Sequence, residues 1–182
     1  MFNFTDKKNQ KDERYYQAYL SHHVISRRNL FRGILGGSEK HLQQDAKRAV
    51  PRPPFAAKEH LFLNACNGCG DCVSACPNSI LQISEGKVML DLGYSTCSFC
   101  GRCADACIQQ ALHRAFRADT ELRPTFLSSC IQHSHQSCEC CQQACPKQAI
   151  SPDLQVDPLR CNGCGECQLS CFVSAIRLTL DS

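Results

Sequence analysis

The sequence has no tryptophan, only two methionines among 182 residues, and an aromatic content of just 7%. A domain of this length normally rests on large apolar side chains, so something else must fill the interior. No stretch approaches the roughly 18 consecutive apolar residues of a membrane-spanning helix. There is no G-x-G-x-x-G, no phosphate-binding loop and no paired nucleophile and base, so the chain is not expected to be an enzyme. Cysteine is what abounds, at 17 residues. That density leaves two options, a disulfide scaffold or a metal protein.

Disulfide-dense chains are secreted, and an export signal needs about 7–15 apolar residues and a small-residue cleavage site. The twin arginine Arg27-Arg28 looks like an export address, but the apolar run behind it fails at Gly36-Gly37. The protein is therefore expected in the cytoplasm, with reduced thiols available to metal. Leu30, Phe31, Ile34 and Leu35 fall at helical spacing, beside Arg27, Arg28 and Arg32. They read either as a short helix with solvated charges or as a docking helix for a partner.

Charge divides the chain in two. Residues 1–60 hold no cysteine and twelve Lys/Arg against six Asp/Glu, a net +6. Residues 61–182 hold every cysteine and eight Lys/Arg against eleven Asp/Glu, a net −3. The expected organisation is a basic, partly helical arm over 1–50 and a stiff Pro-rich linker over 51–58, around Pro51-Arg52-Pro53-Pro54. Two cysteine-bearing units follow, over 59–118 and 119–182.

The cysteine body is an internal repeat. Three groups read C-x2-C-x2-C-x3-C: Cys66, Cys69, Cys72, Cys76; Cys97, Cys100, Cys103, Cys107; and Cys161, Cys164, Cys167, Cys171. The remaining group is looser, with seven residues between Cys130 and Cys138, followed by Cys141 and Cys145. At this cysteine frequency one regular match is expected by chance roughly 0.01 times. Three cysteines at x2 intervals in a loop of little bulk can curl around one corner of a cubane, each sulfur reaching a different iron. Gly68, Gly70, Gly101, Gly163 and Gly165 lie between these cysteines, where positive φ and close backbone approach are needed. Zinc suits the spacing less, since it prefers two separated C-x2-C pairs around one ion. His133 and His135 lie in the long gap of the third group and read as solvated loop residues rather than ligands. Ser84-Glu85-Gly86-Lys87, between two apolar runs, reads as a hairpin turn.

Groups one and two resemble a two-cluster bacterial ferredoxin, and so do groups three and four, which makes the expected fold α+β with two tandem ferredoxin-like units. The whole chain after about residue 21 is similar to the ferredoxin-type accessory proteins of periplasmic nitrate reductase, the NapF family. The segment Ser26-Arg27-Arg28 to Leu30-Phe31-Arg32-Gly33, Arg52-Pro53-Pro54, the regular motifs and the seven-residue gap carry that likeness. Pro77 and Pro146 follow the last cysteine of groups one and three as in the ferredoxin run, whereas Ile108 and Phe172 take that place in groups two and four.

The resemblance implies up to four [4Fe–4S] clusters. It also implies a cytoplasmic accessory protein that binds the precursor of the molybdoenzyme's catalytic subunit before export and assists its maturation, with Arg27, Arg28, Leu30, Phe31 and Arg32 as docking residues. A general electron-transfer polyferredoxin is the alternative. In the ferredoxin run the last cysteine ligates the other cluster of the pair. Crossing would join Cys66, Cys69 and Cys72 with Cys107, and Cys97, Cys100 and Cys103 with Cys76. It would likewise join Cys130, Cys138 and Cys141 with Cys171, and Cys161, Cys164 and Cys167 with Cys145. Cys140 is then left over as a spare thiol.

Each cluster with its thiolates adds about −2 when oxidised, which takes the body from −3 to about −11 while the arm stays basic. Nucleic acid is thus not an expected partner, and a protein is. With thiolates and iron in place of an apolar core, the metal-free chain is expected to be largely disordered.

Overall fold

The computed structural model describes residues 47–134 and 136–180. Arg27, Arg28, Leu30, Phe31 and Arg32, with nearly all of the expected arm, lie outside the described residues, as does His135. The described residues belong to one compact unit, 45–182.

The first longer element is α1, Glu59–Ala65. Four helices of one turn each follow at the cysteine motifs: α2 Asp71–Ser74, α3 Arg102–Asp105, α4 Cys140–Gln143 and α5 Glu166–Leu169. Each carries the third cysteine of its motif, and α2 packs on α3 as α4 packs on α5. Strands β1, Leu81–Ser84, and β2, Lys87–Leu90, form an antiparallel hairpin in the register Leu81 to Leu90 through Ser84 to Lys87. Its two-residue turn has positive φ at both Glu85 (50°) and Gly86 (71°), the primed geometry that matches strand twist. Strands β3, Leu122–Phe126, and β4, Ile176–Leu180, pair antiparallel across the length of the second unit.

The two halves are the same α+β plan worn down at opposite places. In the first, the inner hairpin β1–β2 is complete and the outer pair is a single bridge, Ala56 to Leu112. In the second, the outer pair β3–β4 is complete and the inner hairpin is a single bridge, Ile150 to Val156.

That outer bridge corrects one expectation. Residues 51–58 are not a free linker: Phe55, Ala56 and Ala57 are buried, and Pro53 is among the most enclosed side chains. Arg52 is only 5% exposed. Its guanidinium pairs with Glu59 at 2.8 Å, donates to the Val88 carbonyl at 3.0 Å and lies 4.7 Å over the Phe62 ring. Arg48 also approaches Glu59, at 3.8 Å. A composition that reads as a spacer is here an extended edge segment, with proline where no ladder N–H is required. Glu59 is the counter-charge of Arg52, while Arg48 also has Glu121 at 3.3 Å. Replacing Glu59 with Ala leaves the Arg52 guanidinium buried without its carboxylate and should lower stability by about 3–5 kcal/mol in thermal or denaturant unfolding of the cluster-loaded protein.

The halves are joined through 117–123 and by direct contacts. Thr120 is fully buried; its N–H donates to the Asn162 carbonyl at 3.1 Å and its hydroxyl to the Gly163 carbonyl at 2.9 Å. Burial alone would raise the pKa of Asp119. Hydrogen bonds from Arg123 and the Glu121 N–H, with the charges of Arg123 and Arg117, outweigh it and hold the carboxyl below its ordinary range. Thr96 donates to Glu166 at 2.8 Å, and the Cys97 N–H donates to the Cys164 carbonyl at 2.9 Å. Among the described residues, no helix is long and apolar enough to cross a membrane.

Candidate metal centres

Three of the four motif loops are built the same way. Gly70, Gly101 and Gly165 cap α2, α3 and α5 in the left-handed region, so the chain can turn sharply between the second and third cysteine. Gly163 is needed for a different reason. A side-chain carbon there would stand 2.6 Å from the Leu122 carbonyl oxygen, so the loop between Cys161 and Cys164 lies directly on β3.

Beyond the fourth cysteine comes a second repeated feature. Ser79, Gln110, Gln148 and Ser174, each three residues on, all have positive φ, between 48° and 54°. Each donates its N–H back to the carbonyl of that cysteine, at 2.9 to 3.3 Å. The turn lets backbone N–H groups reach the sulfurs: Leu112 N–H lies 3.5 Å from Cys107 Sγ, Ala149 N–H 3.3 Å from Cys145 Sγ and Ala175 N–H 3.2 Å from Cys171 Sγ. Such donors stabilise negative charge on sulfur. The signal was present as a polar Ser or Gln followed by Ile or Ala in every copy, but its backbone meaning was not readable from spacing.

Each gathering joins cysteines of one motif with a cysteine of another. Burial first, then the charges of Cys107, Cys66 and Cys69, pushes the Cys72 thiol up to about 12. Cys97 is pushed up to about 11 by burial, with Cys76 and Cys100 adding. Cys103 rises to about 12 through burial and then Cys97. A small cavity has Cys76, Cys97, Cys100 and Cys103 on its wall. In the second half, Cys167 is raised to about 12 by burial and then by Cys164, Cys161 and Cys145. Burial raises Cys141, with Cys138, Cys130 and Cys171 contributing. A second small cavity is lined by Cys130, Cys138, Cys141 and Cys171, and by Cys140 as well.

Thiols packed this way resist ionisation because their thiolates would repel one another in a low-dielectric setting. A bound cation removes that penalty, since metal ligation takes the deprotonated sulfur. One ion would need its sulfurs within about 2.3 Å of a common centre. Among the described residues, no three His, Cys, Asp or Glu side chains converge in that manner. The two cysteine-walled cavities, with all-thiol donor sets and N–H groups aimed at sulfur, fit a polynuclear iron–sulfur group better than a single zinc. His133 is exposed and is not on the cavity wall.

The four gatherings neighbour one another in succession, and a backbone hydrogen bond joins the middle two. Cys72 and Cys103 influence each other across the first half, Cys97 and Cys164 across the joint, and Cys167 and Cys141 across the second half. Motif four, not motif three, is therefore the neighbour of motif two. Immediately after the fourth cysteine, Ile108 is 80% and Phe172 69% exposed; Cys107 and Cys171 belong to the two gatherings at the ends of this row.

Comparison with known proteins agrees with the donor chemistry. Residues 65–112 match the family described as "4Fe-4S dicluster domain", and residues 154–177 that described as "4Fe-4S binding domain". An uncharacterised protein of Haemophilus influenzae is 53% identical over 92% of this chain and 99% of its own. The ferredoxin-type protein NapF of Escherichia coli K12 is 34% identical over 80% of this chain and 91% of its own. The ferredoxin-type protein NapF of the same Haemophilus strain is 36% identical over 70% of this chain and 77% of its own. The chain is an iron–sulfur protein that carries [4Fe–4S] clusters.

Proposed function

The chain belongs to the NapF family of ferredoxin-type proteins, and from that premise we propose that it is a cytoplasmic accessory protein that binds the precursor of the periplasmic nitrate reductase catalytic subunit and assists its maturation before export, by cofactor assembly or redox poise. A [4Fe–4S] cluster supplies one-electron chemistry when bound. The residues that hold the clusters in this reading are the crossed quartets: Cys66, Cys69, Cys72 and Cys107; Cys97, Cys100, Cys103 and Cys76; Cys161, Cys164, Cys167 and Cys145; Cys130, Cys138, Cys141 and Cys171. The observation that supports the redox role is the link between motifs two and four at the joint, where the Cys97 N–H donates to the Cys164 carbonyl. A chain that only displayed a docking surface would not need its cysteine motifs brought together across the joint.

The docking role rests on sequence. Arg27, Arg28 and Arg32 with Leu30 and Phe31 give a basic, one-sided apolar segment, suited to a groove or an acidic face on a protein partner. An anaerobic pull-down with the precursor tests it. The intact protein should retain the precursor. The Arg27→Glu, Arg28→Glu, Arg32→Glu variant should lose at least about tenfold in affinity, with iron content unchanged. Absence of binding by the fully loaded protein would refute the reading.

One observation favours a second reading, that of a polyferredoxin serving another redox enzyme. A single Haemophilus strain has both a NapF and the 53% identical relative of this chain, so two members of the family coexist there. Under that reading the precursor is not retained, and the loaded protein still exchanges electrons with a different enzyme.

A further inference from the structure

Cys140 was left over when the sixteen other cysteines were shared among four sites. The structure does not leave it apart. It lies on the wall of the same cavity as Cys130, Cys138, Cys141 and Cys171. The matching cavity of the first half shows that this is not the rule for its position. There the residue before the third cysteine is Arg102, and the wall passes from Gly101 to Cys103 without it. In motif one the same position is Asp71, a carboxylate 3.4 Å from Cys69 Sγ. The position therefore reaches the second cysteine's sulfur in motif one, and only in motif three does it bring a second thiol.

The backbone explains the difference. Motifs one, two and four place a left-handed glycine before this residue, while motif three has Glu139 at φ −124°. The loop between Cys138 and Cys141 follows another course, and residue 140 joins the cavity. Gln132, on the same wall, keeps a buried side-chain oxygen without a donor.

We propose that this site is a five-thiol site in which Cys138 and Cys140 are interchangeable ligands to one iron, Cys130, Cys141 and Cys171 being fixed. The inference rests on the reading that the quartet holds a [4Fe–4S] cluster. The exchange is redox-neutral: Cys140 gives up its thiol proton and forms a sulfur–iron bond, while the Cys138–iron bond breaks and Cys138 takes up a proton. The site at one end of the row can thus keep its cluster through the loss or modification of one ligand, which the other three sites cannot.

The test is an anaerobic iron and sulfide count with low-temperature EPR of the reduced full-length protein. Alanine is the substituent, since serine oxygen can itself bind iron. Cys138→Ala should retain the full iron content, with an altered EPR signal for one cluster. Cys140→Ala alone should retain it with the signal unchanged or simplified. The double variant should lose about four irons. Cys100→Ala, where the matching residue is Arg102 and offers no ligand atom, should lose about four on its own. If Cys138→Ala loses as much iron as the double variant, or the double variant loses none, interchange is overturned. If Cys141→Ala loses no iron, the underlying ligand reading fails instead, and the two failures are told apart.

Discussion

Removing Cys145 and Cys161 together should cost no more iron than removing either alone. If the last cysteine of each motif serves the partner motif's cluster, both residues hold one cluster, and each single alanine variant loses about four irons of about sixteen. The double variant loses the same four. Pairing Cys145→Ala with Cys141→Ala, from the same motif, should instead cost about eight. In-motif ligation predicts the reverse pattern, so iron counts on five variants settle the assignment. The structural reason lies in Cys164 and Cys167, whose thiols are pushed up by burial and by the charge of Cys145 from the neighbouring motif. The α4–α5 contact sets that proximity.

The second large effect concerns the fold itself. Stripping iron under anaerobic conditions should abolish cooperative unfolding, and the second half should fail before the first. The first core has Phe62, Val88, Leu90 and Leu112 almost fully enclosed, with Ile80, Leu81 and Leu122 around them. The second has only Ile150 and Ile176 among its buried residues besides two cysteines. At about 1.5–3 kcal/mol for each large buried apolar side chain, two such residues do not offset the conformational entropy of ordering some sixty residues. Iron–sulfur bonds between distant cysteines must supply the remainder. Hydrogen exchange during partial chelation should therefore show protection lost first over 122–180 and last over β1, β2 and α1. Uniform protection in the iron-free chain would contradict this.

Much of this arrangement was legible in the residues. Repeated spacing identified sixteen ligand candidates, and Glu85-Gly86 between apolar runs marked the one complete hairpin. Three features were not legible, each for a physical reason. The segment 51–57 is proline-rich because an extended edge and a free spacer favour the same backbone, and only the buried partnership of Arg52 with Glu59 distinguishes them. The succession of sites follows a contact between Cys97 and Cys164, 67 residues apart in sequence, and no local pattern encodes that. Cys140 looked surplus because motif spacing counts positions, while its place on the cavity wall depends on the loop course at Glu139.

Ile108 and Phe172 gain meaning from that succession. Proline follows the last cysteine at the two inner sites, and a large exposed apolar residue follows it at the two ends. Replacing Phe172 with Asp should leave the iron count intact and slow electron exchange with a redox partner at that end by about tenfold, in line with the loss of one apolar contact in an interface.

The most direct measurement is a count of iron, acid-labile sulfide and zinc on protein purified without oxygen. About sixteen irons and about sixteen sulfides per chain, with zinc absent, is the result predicted for four cubane clusters. Colourless protein holding zinc, or its thiols oxidised to disulfides, would contradict it.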